Sequence, residues 1–290
     1  MKPCVFIHTN EKQWLGAVVA SHALRRHAAD PDAFDVRVLE AKDYPFLRER
    51  VGQAYRSNGA ERHWKYDLQS FTPLRFMPPE LMEYRGRALI TDPDIFAAGD
   101  VQELLDRDMQ GKAILCRTLE GDAGRRSKHA SSVMLLDCER LPHWHCERQF
   151  TELFEGDRDY KKWIWLVLEP EGSIGLLEPE WNDYDRLTAE TRFLHNTRRE
   201  TQPWKTGLPV DFETGKEPHP FSPKGLLRRF YPDRYQPHPD PNQEQYFFSL
   251  LGECLDAGVV TEATLRDQMR QDHLRHDALE RVAQAPSLPA

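Results

Sequence analysis

The sequence predicts an α/β protein with a C-terminal helical extension, on three observations. The chain opens with an apolar run at 4–7, a helical pattern over 13–28 and an alternating stretch at 34–39. That strand–helix–strand order begins a nucleotide-binding unit with a right-handed crossover. Two later apolar runs, 88–91 and 132–136, have the length of buried strands. Beyond a proline-rich stretch, residues 243–255 and 261–282 pattern as two amphipathic helices.

The elements follow in order. Trp14, Ala17, Val18, Ser21 and Leu24 recur at helical spacing after the first strand. A helix is expected near 73–83, ahead of the strand at 88–91, and another near 101–106. Residues 112–116 form a further strand candidate, and 132–136 a strongly apolar one. Residues 144–155 and 160–168 read as helices rich in Trp and Phe, with short strands at 173–177 and 192–194. From Gly207 prolines accumulate through Pro241, marking an irregular connection to the last helices.

Composition narrows the function. With 290 residues, of which 39% are hydrophobic, 10% aromatic and 30% charged, the chain is globular in texture and can bury a large core. A net charge of −8 without a basic stripe argues against nucleic-acid binding. No stretch is long and apolar enough to span a bilayer, so no transmembrane segment is expected. The N-terminal apolar run meets polar residues too soon for a signal peptide. Five scattered cysteines without a Cys-x-x-Cys support no disulfide framework, and a cytoplasmic setting is expected.

The motif richest in chemistry is Asp92-Pro93-Asp94, at the end of an apolar strand. Two carboxylates one residue apart are tolerable there if a hard divalent cation sits between them. The alternative is an Asp-Pro turn in which Asp94 caps the next segment. His8-Thr9-Asn10-Glu11 is the first strand-to-helix turn, where α/β sheets bind ligands. Thr9 and Asn10 could read a nucleotide there or simply cap the helix. His195 ends another short apolar strand and could supply a nitrogen ligand, with Arg198, Arg199 and Lys205 following as cations that could hold a diphosphate; the alternative is a surface loop with a solvated basic face. His143 and His145 are too tightly spaced for a zinc site, and neither a Gly-x-Gly-x-x-Gly nor a P-loop is present.

Taken together, these pieces fall in a telling order. Thr9-Asn10 comes first; Phe71-Thr72-Pro73-Leu74-Arg75-Phe76 leads through Pro79-Glu80-Leu81 to Asp92-Pro93-Asp94. A buried strand from Val133 follows, then His195 ahead of Pro203-Trp204. This succession resembles glycosyltransferase family 8, which includes glycogenin and bacterial galactosyltransferases of lipopolysaccharide synthesis. The resemblance covers residues 3–207, is most specific at 88–104 and 194–207, and looks like a divergent bacterial-type branch.

The resemblance implies the GT-A fold, a mixed and mostly parallel sheet flanked by helices, over 1–215, with the extension at 216–290. It implies a nucleotide-sugar donor, a UDP-sugar, with Mn2+ or Mg2+, and transfer with retention to an acceptor hydroxyl. Metal ligation is carried over to Asp92, Asp94 and His195. Donor binding is carried over to Thr9, Asn10, Arg75 and Asp92, and catalytic roles to Arg75 and Asp159; Lys205, with Arg198 and Arg199 as alternatives, is the expected donor-binding substitute for the family's phosphate-binding lysine. There are departures. Ala130-Ser131-Ser132 stands where the family has Asn-x-Gly, Arg158-Asp159-Tyr160 where it has Asp-Gln, and Gln202-Pro203-Trp204 where it has Lys-Pro-Trp. The family's phosphate-binding lysine is thus missing at that place.

The acceptor, a glycan, lipid-linked saccharide or small molecule, is not legible, and the C-terminal helices are available to pair subunits. Two other readings remain open at this level. A catalytically silent sugar-nucleotide sensor or scaffold fits the lost asparagine and lysine. A sugar-1-phosphate nucleotidyltransferase would need a Gly-rich basic loop after the first strand, which residues 8–15 lack.

Overall fold

The computed structural model describes residues 1–67, 69–119, 128–212 and 233–289. It comprises two compact units, Met1–Tyr184 with Thr188–His195, and Asp185–Leu187 with Asn196–Ala290. Residues 196–212 therefore group with the C-terminal helices. The boundary expected at 215 lies within 213–232, outside the described residues, as does much of the proline-rich stretch.

The first unit is built on a six-stranded sheet, as the sequence predicted for an α/β chain. Strands β1 (Cys4–Thr9), β2 (Asp35–Glu40) and β5 (Arg87–Thr91) are parallel, with β1 in the middle. β8 (Lys128–Asp137) runs antiparallel to β5 and to β7 (Ile114–Leu119), and β9 (Ile174–Leu176) joins β7 in parallel. The result is the expected mixed, mostly parallel sheet flanked by helices. β1 is buried along its whole length and β5 beyond its first residue. Both read as unbroken apolar runs because parallel strands are covered on both faces. β2 lies at the edge, and its Arg37 and Val38 are exposed.

The helix Trp14–Arg26 follows β1 and buries Leu15, Val19 and Leu24 together with Gly16, Ala17, Ala20 and Ala23. Its basic last turn, Arg25 and Arg26, complements the negative end of the helix dipole. The helix expected near 73–83 is instead two short pieces, a 3-10 turn Thr72–Phe76 and a helix Pro78–Leu81. Two consecutive prolines lack N–H donors and are tolerated only where a helix begins, so the segment restarts at Pro78. Positive φ at Glu83 and Tyr84 then ends it. The helix expected over 160–168 stops at Ile164, and Leu166 adopts φ 57°.

A hairpin the sequence reading left unassigned pairs β3 (Ala54–Ser57) with β4 (Ala60–His63). Its two-residue turn is Asn58-Gly59, with φ of 52° and 80°, the left-handed pair that matches strand twist in tight hairpins. A second small sheet orders β10 (Asp183–Tyr184), β11 (Phe193–His195) and β6 (Ile95–Ala97), with β11 antiparallel to β6.

The second unit contains helices Pro241–Asp256, Glu262–Arg270 and Ala278–Gln284. The single helix expected over 261–282 is broken, with Asp272 at φ 55° and Leu274 fully buried between the two pieces. There the Arg275 N–H donates to the Trp204 carbonyl (2.8 Å), a tertiary bond that periodicity cannot reveal. The face of Pro241–Asp256 that the sequence marked with Tyr246, Phe247 and Leu250 is buried, and Trp204 stacks on Phe247. No described helix is long and apolar enough to cross a membrane.

Candidate functional site

The site forms where β1 and β5 end. β5 stops at Thr91, and the Ile95 N–H donates back to the Asp92 carbonyl (3.3 Å), closing a turn with Pro93 at its second position. The turn reading of the sequence is thus realised, and the turn itself puts both carboxylates beyond the strand end. From it the chain enters β6, whose Ile95 lies opposite His195 of β11. That register delivers a histidine from a hundred residues downstream to the Asp94 side chain, with His195 Nε2 3.6 Å from Asp94 Oδ1. One ligand atom from each of Asp92, Asp94 and His195 lies within 4.8 Å of the others.

The His195 ring is oriented from behind. Its Nδ1 donates to Asn182 Oδ1 (2.8 Å), leaving the Nε2 lone pair facing the carboxylates. Asn182 is itself fully buried and held, its amide donating to Ser132 Oγ (2.9 Å) and its carbonyl accepting from Arg117 Nη1 (2.6 Å). Tyr184 packs edge-on against the imidazole at 5.4 Å, and the Arg117 guanidinium lies over the Tyr184 ring. Two hard carboxylates and one neutral imidazole form a donor set suited to Mn2+ or Mg2+, so the residues fit a divalent cation.

Asp92 is embedded more tightly than Asp94. Its Oδ1 accepts from Arg75 Nε (3.0 Å) and lies 3.0 Å from His8 Nε2, and its Oδ2 accepts from Arg75 Nη2. Burial would raise the Asp92 carboxyl, but the Arg75 guanidinium and His8 overcome it and hold the group well below the usual carboxylate range. His8 is fully buried, and burial lowers its pKa against the pull of Asp92. Oδ2 carries one of these bonds, which leaves it a lone pair for a cation. Arg75 also reaches Ser131 Oγ (2.9 Å), and Ser131 donates to the Ile164 carbonyl (2.6 Å).

The structure brings together Asp92, Asp94, His195 and Arg75 from the residues singled out in the sequence. Thr9 and Asn10 are buried at the end of β1. The Thr9 hydroxyl donates to the Asn10 carbonyl, while Asn10 Oδ1 accepts from the Lys12 and Gln13 N–H groups at the entry to Trp14–Arg26. Asn10 Nδ2 donates to the Asp67 carbonyl (3.0 Å). Asp159 caps the helix Tyr160–Ile164, accepting from Lys162 N (3.1 Å), and takes the Asn58 and Gly59 N–H groups of the hairpin turn at 2.9 Å each. Lys205, Arg198 and Arg199 lie in the second unit. Lys205 is fully buried there with its Nζ 3.0 Å from Asp211 Oδ2, and Arg198 is exposed near Asp185. His8, Ser131, Asn182 and Arg117 are contributors that the sequence reading did not assign to the site. Asn182 carries no local signal, because its role arises only from the β10–β11–β6 arrangement.

No protein-family model matches the sequence, and no curated protein matches it. Among solved structures, the chain is similar to the glycosyltransferase GlyE of Streptococcus pneumoniae TIGR4, with TM-score 0.49 and 13% identity over 90% of this chain. It spans 65% of GlyE, under two thirds of that protein's length. It is also similar to the galactosyltransferase LgtC, solved with donor and acceptor sugar analogs, with TM-score 0.49 and 10% identity over 69% of this chain and 89% of that one. Mouse xyloside xylosyltransferase 1 matches with TM-score 0.43 and 13% identity over 68% of this chain and 98% of that one.

Proposed function

We propose that this protein is a metal-assisted glycosyltransferase of GT-A architecture, akin to family 8. In this reading it moves a sugar from a nucleotide-sugar, a UDP-sugar, to an acceptor hydroxyl with retention, in the cytoplasm. The observation that carries the reading is the convergence of Asp92, Asp94 and His195 at the carboxyl end of a mixed α/β sheet, with His195 oriented by Asn182.

Asp94, Asp92 and His195 would hold Mn2+ or Mg2+, which when bound supplies Lewis-acid stabilisation of the departing nucleoside diphosphate. The residues around them do the positioning. Asn182 keeps the His195 Nε2 lone pair aimed at the site. Arg75 and His8 keep Asp92 ionised while buried, so this ligand is ready to accept a cation. Arg75 retains N–H groups beyond those on Asp92 and Ser131, and its charge favours an anionic donor phosphate. Thr9 and Asn10 belong to this reading as donor-binding groups and Asp159 as a catalytic one through the family resemblance alone, and Lys205 as a substitute for the family's missing lysine.

The test is release of free nucleoside diphosphate from a panel of UDP- and GDP-sugars with Mn2+. The reading expects turnover that chelator abolishes. Binding of nucleotide without turnover across broad acceptor mixtures favours the sensor instead, and no nucleotide binding in the presence of metal sinks both.

A further inference from the structure

The first unit carries a cavity of about 590 Å³, walled by Trp165, Val167 and Leu168 and by the cations Arg56, Lys128 and Lys162. A relay of hydrogen bonds and chain neighbours links it to the candidate metal site. Ser131, which Arg75 reaches, donates to the Ile164 carbonyl; Trp165 is the next residue, and its carbonyl accepts from His129 N (3.1 Å). Lys128 stands one residue before His129, at the start of β8.

The charges on its wall are unequal in their partners. Arg56, Lys128 and Lys162 make no ion pair with a carboxylate among the described residues. The Lys128 ammonium instead lies 4.3 Å from the centre of the Trp165 ring, a contact that leaves its charge in place. Arg158, a fourth cation, is neutralised by Glu152 at 2.7 Å. Of the two acids, Asp159 has its carboxylate bonded to three backbone N–H groups, and Asp157 is exposed. Both carboxylates keep their charge, so with Arg158 balanced by Glu152 the three remaining cations of the described lining exceed the two acids by one, an excess that favours an anion in a concave, low-dielectric surface. An aromatic and aliphatic floor with charged groups at its rim suits the mixed polar and apolar faces of a sugar ring.

We propose that this cavity is an acceptor subsite for a saccharide bearing an anionic group, a phosphate or a carboxylate. Arg56, Lys128 and Lys162 hold the anion, and the Trp165–Leu168 wall receives the ring. The proposal rests on the glycosyltransferase reading for its word acceptor, while the binding itself is testable without turnover.

Calorimetric titration of the full chain with glucose 6-phosphate, glucuronate, glucose and inorganic phosphate separates the possibilities. At least one anionic sugar should bind about tenfold tighter than glucose and than inorganic phosphate, and which one does so identifies the anion. The double variant Arg56→Met/Lys162→Met, both positions being exposed, should lose about tenfold in that affinity with an unchanged thermal midpoint. Equal binding of charged and neutral sugars, or a double variant that binds as the wild type does, overturns the proposal. Inorganic phosphate binding as tightly as glucose 6-phosphate overturns the saccharide part. Nucleotide binding with Mn2+ is measured on the same samples. Its loss would count against the glycosyltransferase reading, and its retention beside a failed sugar titration would count against this subsite alone.

Discussion

Asp92 and Asp159 are both carboxylates held below their ordinary pKa, yet their surroundings differ in kind. Asp159 is met by backbone N–H groups of Asn58, Gly59 and Lys162, donors whose places are fixed by a hairpin turn and a helix start. Asp92 is met by side chains, Arg75 and His8, and shares its exit from the sheet with Asp94 and His195. A carboxylate closed by backbone amides fastens elements together. One balanced by side chains, and grouped with further metal-ligating atoms, can exchange partners and bind a cation.

The largest effect should come from breaking the balance at Asp92. Arg75→Met leaves a buried carboxylate uncompensated and should cost about 3–5 kcal/mol in urea unfolding. Adding Asp92→Asn should restore most of that loss. Failure of the second change to rescue would show that Arg75 stabilises the protein mainly by its own packing.

Next comes the metal. Asp94→Ala should lower nucleoside diphosphate release by about a hundredfold or more, while thermal stability changes little, because a Lewis acid contributes several kcal/mol to leaving-group departure. Unaltered turnover would remove Asp94 from the site. One shell further out, Asn182→Ala should weaken Mn2+ binding by about 10–100-fold in a paramagnetic titration, through loss of His195 orientation. An unchanged affinity would mean that packing against Tyr184 suffices to hold the ring.

The smallest effect belongs to Asp159, whose replacement by Ala should cost about 1 kcal/mol, as loss of a helix cap does. Burial raises its pKa, but the backbone N–H groups outweigh that and lower it below the ordinary 3.8. Its folded state therefore prefers the ionised form. The stabilisation is complete above about pH 3.8 and is lost as pH falls through the lowered folded value. The difference between wild type and Asp159→Ala in urea midpoint should shrink over that acid range. A difference constant down to pH 2 would refute the ionic contribution.

Much of the first unit was legible because its strands are buried on both faces and read as apolar runs. β1, β5 and the apolar part of β8 were all marked this way. The hairpin at 54–63 had a usable signal in Asn58-Gly59, but its strands carry exposed charged residues, so no apolar alternation drew attention to it. The broken helix at 261–282 had an unbroken pattern, because Leu274 is buried in a turn as readily as in a helix.

By itself the sequence determined that the chain is α/β and that an acidic turn ends a buried strand, since period, turn chemistry and residue type are local properties; His195 was joined to that turn only by the family resemblance. The tertiary structure alone decided that His195 faces Asp94, because that contact depends on β11 pairing with β6 in one register. It likewise decided which cations serve as partners. Arg75 lies on Asp92, and Lys205 is buried against Asp211, a choice set by packing and desolvation that no spacing in the chain encodes.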